Sequence, residues 1–424
     1  MSTDWIKNYK DIATSKNREL ALDIASAGLD AINTRQVIKN SLKIEGNILY
    51  VLSEQFDLSK FKRIKVLGFG KASCDAAQAL EEVLGKKIDE GVVIGLEAKT
   101  CEVIQTFKGT HPRPSPENVI VGEKINEIAK NATEDDLVIV VVSGGGSALL
   151  CYPMAECDEG VKLYNASIKS GISIKELNTV RKHISGMKGG ELAKILYPAT
   201  VIGLIFSDVP GNNFADVASG PTYKDETTQA DARAIVDKYN LGDFSLTDTP
   251  KEDKYFDRVH NIVLVSNKTA VEAMNIRANE LGFSSKIISY ELYDSQDEVM
   301  KMFLAKAQNN TALLGAGEPS LKIDKPGGSG GRNLFLGMKA IGKLDKDSVF
   351  IALASDGLDN CTAAGAIVDL TLSEKLKSSR IDLADYLSRY DALAFFEKLG
   401  DGLILTGPTG ANVSDIMLLI TRND

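Results

Sequence analysis

With 424 residues, 44% hydrophobic and 25% charged, the chain is long enough to bury two cores and has a globular composition, not a disordered, collagenous or coiled-coil one. Its 58 acidic against 49 basic residues leave a formal charge of −9, which argues against a nucleic-acid binder with a broad basic face while permitting local basic pockets. Five scattered cysteines without a Cys-x-x-Cys pair, apolar runs no longer than six residues and a charged N-terminus predict a cytoplasmic protein with no disulfide frame, zinc site, membrane span or signal peptide.

From the N-terminus, residues 5–42 predict one long helix or two short ones. A strand is expected at 64–67, and 71–84 carries Ala72, Ala76, Ala79, Leu80 and Val83 on one helical stripe that Gly85 stops. A helix over 117–129, an all-apolar strand over 137–142 and a strand over 201–206 follow. The stretch 239–258 is polar, rich in Asp and Lys and aperiodic, which predicts a linker at 241–258. Beyond it come a strand at 262–265, a helix over 268–281, a strand at 312–315, a helix over 333–341 and strands at 349–354 and 403–405. Most strands are apolar throughout, so the expected class is α/β, with parallel strands in a sheet covered by helices. The linker divides the chain into domains over 1–240 and 259–424.

Glycine-rich turns after these strands are where chemistry is expected. In GFGKAS (68–73), Gly70 lets backbone amides approach an anion and Lys71 adds a point charge at a helix start, although the same residues also make a tight turn. Ser143, Gly144, Gly145, Gly146 and Ser147 offer amides and hydroxyls to phosphate or carboxylate oxygens, or form a flexible turn. Arg181 and Lys188 lie in a basic, glycine-interleaved patch suited to an anionic substrate, or to solvent. Asp208 and Asp356, each just past a strand, could ligate Mg²⁺ or cap a helix. Four glycines before Arg332 and Asn333 allow close approach to a polyanion, with Arg332 positioned to stabilise a transferring phosphoryl group.

Nine ordered blocks together resemble the glycerate 2-kinase family, whose C-terminal part is the MOFRL domain. They are GFGKAS (68–73), GTHPRPSPEN (109–118), SGGGSALL (143–150), LNTVRKHISGMKGGELA (177–193), SDVPGNNFADVASGPT (207–222), GEPS (317–320), GGSGGRN (327–333), SDGLDNCTAAGAIVD (355–369) and TGPTGANVSDI (406–416). The resemblance implies an N-terminal Rossmann-like parallel-sheet domain facing a smaller C-terminal α/β domain across an active-site cleft. It implies ATP-dependent phosphorylation of D-glycerate at the 2-hydroxyl in carbohydrate metabolism, with Mg²⁺ or another divalent cation, and it allows a homodimer. Lys71 and Arg332 match the positions regarded as catalytic. Gly70, the 143–147 turn, Arg181, Lys188, Glu318, Asn333 and Asn412 fall in blocks that bind nucleotide or substrate, and Asp208 and Asp356 at the metal. The sequence departs from the family pattern at Leu334 and Phe335, at Asn360 where Gly is usual, and at Pro210, Asn212 and Asn213 where acidic residues are common. These departures bear on metal coordination more than on the reaction. The competing readings are an NAD(P)-dependent hydroxypyruvate reductase, for which GFGKAS lacks the third fingerprint glycine, and a non-catalytic ligand sensor.

Overall fold

The computed structural model describes residues 5–209, 213–325 and 327–423, so Pro210, Gly211 and Asn212 of the SDVPGNN turn lie outside the described residues. The chain forms two compact units, one of residues 34–264 and one that joins the segment through Asn33 to everything from Val265 onward.

The unit of residues 34–264 opens with the helix Thr34–Ser41 and a small antiparallel sheet of β1 (Leu42–Glu45), β2 (Ile48–Val51) and β3 (Glu54–Asp57). Its main sheet contains β4 (Arg63–Phe69), β5 (Glu90–Gly95), β6 (Ile104–Lys108), β7 (Asp136–Ser143), β8 (Thr200–Phe206) and β9 (Val259–Val265), in the order β6-β5-β4-β7-β8-β9. The strands from β6 to β8 run parallel. All eight residues of β7 are buried, as its apolar run predicts for a central strand with helices on both faces. Phe69, Ile94, Val140, Val142 and Ile205 supply much of the core on one of those faces. The helix Ser73–Leu84 stops at Gly85, whose φ of +55° suits a glycine C-cap.

The stretch 241–258 is not a linker. Leu241, Phe244 and Leu246 are buried against Val180, Ile184 and Val236, the Thr247 amide donates to the His183 carbonyl at 2.7 Å, and Thr249 Oγ1 donates to Asp225 Oδ2 at 3.1 Å. Three anchoring apolar residues within a polar run leave no periodic signal, yet they fasten the strap to the unit.

In the other unit β10 (Ser284–Leu292), β11 (Thr311–Gly317), β12 (Ser348–Ala354), β13 (Gly365–Asp369), β14 (Leu403–Ile404) and β15 (Asp415–Thr421) form a sheet of order β10-β11-β15-β12-β13-β14. Only β10 and β11 pair parallel, which corrects the expectation of parallel strands for this half. Burial on both faces makes 349–354 of β12 and 416–420 of β15 apolar throughout, and apolar content carries no strand direction. The opening residues belong here because the helix Lys16–Ala31 packs on the helix Asn267–Glu280, with Gly28 against Met274. Arg18, fully buried, clasps Asp369 at 2.7 and 2.9 Å and Asp401 at 2.8 and 3.2 Å. A buried guanidinium needs this many acceptors to remain inside, so the helix Lys16–Ala31 is locked to the last third of the chain. No helix among the described residues is long and apolar enough to cross a membrane.

Candidate active site

From β4 the chain steps outward to β5 and β6, then returns to the far side of β4 as β7. The neighbouring C-terminal ends of β4 and β7 thus form a topological switch point, the usual ligand crevice of an open α/β sheet. Both glycine-rich turns of this half leave the sheet there. Gly70 has φ of +121°, and a side chain on it would overlap Ser143. The two turns are stitched by the Lys71 amide donating to the Gly144 carbonyl at 2.8 Å and the Ala72 amide donating to Ser143 Oγ at 3.1 Å. Ser143, buried, therefore acts as a tie between turns.

Each glycine of the triplet makes room for a protein group. A side chain on Gly144 would collide with the Asp208 carboxylate, and one on Gly145 would stand 3.1 Å from the His111 ring and 3.3 Å from Lys71 Cγ. On Gly146 it would stand 2.6 Å from Ala218 Cβ. Lys71, His111 and Asp208 are consequently gathered over one short stretch of backbone. Next to them, Ser147 Oγ lies 2.9 Å from Ser219 Oγ, which donates to Asn178 Oδ1 at 3.2 Å. Arg181 Nη1 donates to the same Asn178 oxygen at 3.2 Å. Ala218 and Ser219 hold successive left-handed conformations, φ +51° and +60°, a strained arrangement of the kind that accompanies functional sites.

Lys188 and Arg181 of the basic patch differ. Lys188 is buried and committed to Glu156 and to the Leu150 carbonyl, while Glu156 also accepts from Ser185 Oγ at 2.8 Å and the Gly186 amide at 3.1 Å. Its charge is thus balanced inside the protein. Arg181 has no carboxylate within ion-pair distance among the described residues, and burial pulls its guanidinium down to about 10. His183 is structural, with Nδ1 2.7 Å from the Thr247 carbonyl.

In the other unit, strand register puts Asp415, the first residue of β15, between Gly317 at the end of β11 and Ala354 at the end of β12. Glu318 follows β11, and Ser355 and Asp356 follow β12, so three carboxylates are delivered to one end of the sheet. Arg332 starts the helix Arg332–Ala340, donates from Nε to Asp415 Oδ2 at 2.6 Å and pairs through Nη1 with Glu318 Oε2 at 3.0 Å. Burial works against the Arg332 charge, but Asp415 and Glu318 more than offset it and raise its pKa. Burial pushes Asp415 up to about 7 against the pull of Arg332. Asp359 caps the helix, accepting from the amides of Gly331 and Asn333 at 3.2 Å each and of Leu334 at 2.7 Å. Asn333 Nδ2 donates to Asp359 at 3.1 Å, while its Oδ1 is buried without a hydrogen-bond partner. Asp356 accepts the Leu358 amide at 3.1 Å, and Asn412 Oδ1 accepts the Ser414 amide at 3.2 Å.

Among the described residues no three His, Cys, Asp or Glu side chains are grouped as a metal cage. Asp208 over the glycine triplet and Asp356 past β12 are hard oxygen donors, and Mg²⁺ commonly takes one or two such carboxylates with water and substrate phosphates. Either carboxylate therefore suits a cation that arrives with a nucleotide. His111, Asn178, Ser219, Asp359 and Asp415 fall inside the family-like blocks but were not singled out there as site residues. Within a block no spacing marks them from their neighbours, and only their contacts in folded space do so.

Comparison with known proteins gives two domain matches, a domain of unknown function, DUF4147, over residues 20–248 and the MOFRL family over residues 311–415. The chain is 33% identical to a glycerate 2-kinase of Pyrococcus horikoshii, over 96% of this chain and 98% of that one. It is 34% identical to a protein of Agrobacterium vitis with a provisional hydroxypyruvate reductase name, over 84% of this chain and 99% of that one. The solved glycerate kinase of Thermotoga maritima matches with a TM-score of 0.82 and 29% identity, over 95% of this chain and 99% of that one.

Proposed function

The chain belongs to the glycerate kinase family, and we propose that it moves the γ-phosphoryl group of ATP onto the 2-hydroxyl of D-glycerate, releasing 2-phosphoglycerate and ADP. The observation that carries this reading is the gathering of Lys71, His111 and Asp208 over the glycine triplet at the switch point. Phosphoryl transfer asks a protein for positioning and charge compensation more than for covalent chemistry. The acceptor oxygen bonds to phosphorus as the bond to the ADP oxygen breaks, and the hydroxyl proton leaves. A loose transition state needs no strong base at the outset.

In this reading Lys71 supplies a point charge to the phosphoryl oxygens, its backbone fixed by the bond to Gly144. Arg332 supplies a planar fork, aimed by Asp415 at Nε and Glu318 at Nη1. Asp208 or Asp356 would hold the divalent cation. When bound, that ion would neutralise charge on the β- and γ-phosphate oxygens.

The reductase reading takes support from the name of the Agrobacterium vitis relative. Against it, Gly70 makes room for Ser143, whereas a dinucleotide fingerprint spends its second glycine on the approach of a pyrophosphate. A coupled assay separates the two. ADP release from ATP dependent on D-glycerate supports the kinase, and NAD(P)H oxidation by hydroxypyruvate without ADP release would replace it.

A further inference from the structure

Within the unit of residues 34–264, beside the glycine triplet, lies a small, partly open cavity. Its walls include Pro112, Pro114, Ser147, Tyr164 and Arg181, with the Lys188–Glu156 pair also at its surface. That pair cancels its own charge, so Arg181 brings the one positive charge not matched by a carboxylate among the described lining residues. Among the described residues the Arg181 guanidinium hydrogen-bonds to the neutral oxygen of Asn178, and the Ser147 and Ser219 hydroxyls continue that neutral network. A half-buried guanidinium with no carboxylate beside it costs the empty protein stability, a cost that a ligand anion offsets.

We propose that this cavity takes the carboxylate of the acceptor acid, with Arg181 as its counter-ion and Ser147 as a neighbouring hydroxyl donor; the proposal rests on the kinase reading above. Charge decides between the two anions of that reaction. One unmatched guanidinium suits a monocarboxylate, which it can grip with two parallel hydrogen bonds, whereas a triphosphate would leave several negative charges unmatched among proline and tyrosine walls. Position agrees. Ser147 is two residues beyond Gly145, over which Lys71 lies, so an acid anchored at Arg181 directs its hydroxyl end toward the triplet.

The test compares full-length wild type with Arg181→Met and Arg181→Lys in two measurements, steady-state kinetics and thermal unfolding with D-glycerate in the absence of nucleotide. The proposal expects Arg181→Met to raise KM for D-glycerate at least tenfold while KM for ATP stays within twofold, with Arg181→Lys in between. It also expects the Arg181→Met apoprotein to melt at or above the wild-type Tm, since an unmatched, half-buried charge is gone, and to lose the D-glycerate-induced rise in Tm. An unchanged KM for D-glycerate, or an effect confined to KM for ATP, overturns the proposal and assigns the cavity to nucleotide phosphate or to neither. A lower apoprotein Tm overturns it in favour of a structural arginine. Wild type that makes no ADP contradicts the kinase reading instead, and the cavity assignment then stands or falls on whether D-glycerate shifts the wild-type Tm and not that of Arg181→Met.

Discussion

Lys71 meets two separate requirements, one in its backbone and one in its side chain. Its amide is part of the stitch between two turns, which any residue could provide, whereas its ammonium-bearing side chain crosses Gly145 beside His111. Lys71→Ala should therefore keep the stitch, change stability by no more than about 0.5 kcal/mol, and lower kcat by about a thousandfold. Kinetics with a thermal melt check this, and activity above a tenth of wild type would remove Lys71 from the reaction. Asp415 has a different signature. Burial raises its folded pKa to about 7, facing Arg332, Glu318 and Asp359, while an unfolded carboxyl titrates near 3.8. The folded protein therefore holds the extra proton between those values, so its contribution to stability is full below pH about 4 and is lost as pH rises through 7. Asp415→Asn should flatten that part of the stability-pH curve, measured by denaturant unfolding at stepped pH, and an unaltered slope would contradict the assignment. Lys71 and Arg332 stand out in the sequence because a cation beside glycines after a strand has few other uses. Asp415 does not, since an aspartate opening a strand becomes unusual only when register sets it between Gly317 and Ala354.

At the scale of elements, strands and helices with strong periodicity were legible, as were the edge strands β9 and β14, whereas the edge strand β6 was not. The central β7 and the helix Ser73–Leu84 follow directly from an unbroken apolar run and a 3.6-residue stripe closed by glycine. β6 lies at a sheet edge with only its first residue buried, so its residues carry no apolar run to read. The glycine-rich turns were legible as turns, but the reason for each glycine was not. A cradle for phosphate and a close approach of two protein segments demand the same residue, and the structure adds the second reason at Gly70 and across the triplet. Gly70→Ala should consequently destabilise the fold by about 2 kcal/mol or more, through a φ of +121° and overlap with Ser143. Chemical denaturation checks this, and a stability equal to wild type would mean that the turn is loose and shaped only for ligand.

For the molecule as a whole, the division into two α/β units was legible and its boundaries were not. The long-range clasp of Arg18 on Asp369 and Asp401 joins the helix Lys16–Ala31 to the C-terminal part, and such a tie across most of the chain leaves no local trace. If Lys71 of one unit and Arg332 of the other serve one phosphoryl transfer, their losses cannot add. The Lys71→Ala/Arg332→Ala double variant should be about as slow as the slower single variant, and fully multiplicative losses would mean that the two residues act in separate steps. The central claim is transfer to the 2-hydroxyl of D-glycerate, and its most direct measurement is NMR of the product made by the wild-type enzyme from ATP and carbon-13-labelled D-glycerate. The account predicts phosphorus coupling at C2 with an equal amount of ADP formed, and phosphorus at C3, or no phosphorylated acid at all, would contradict it.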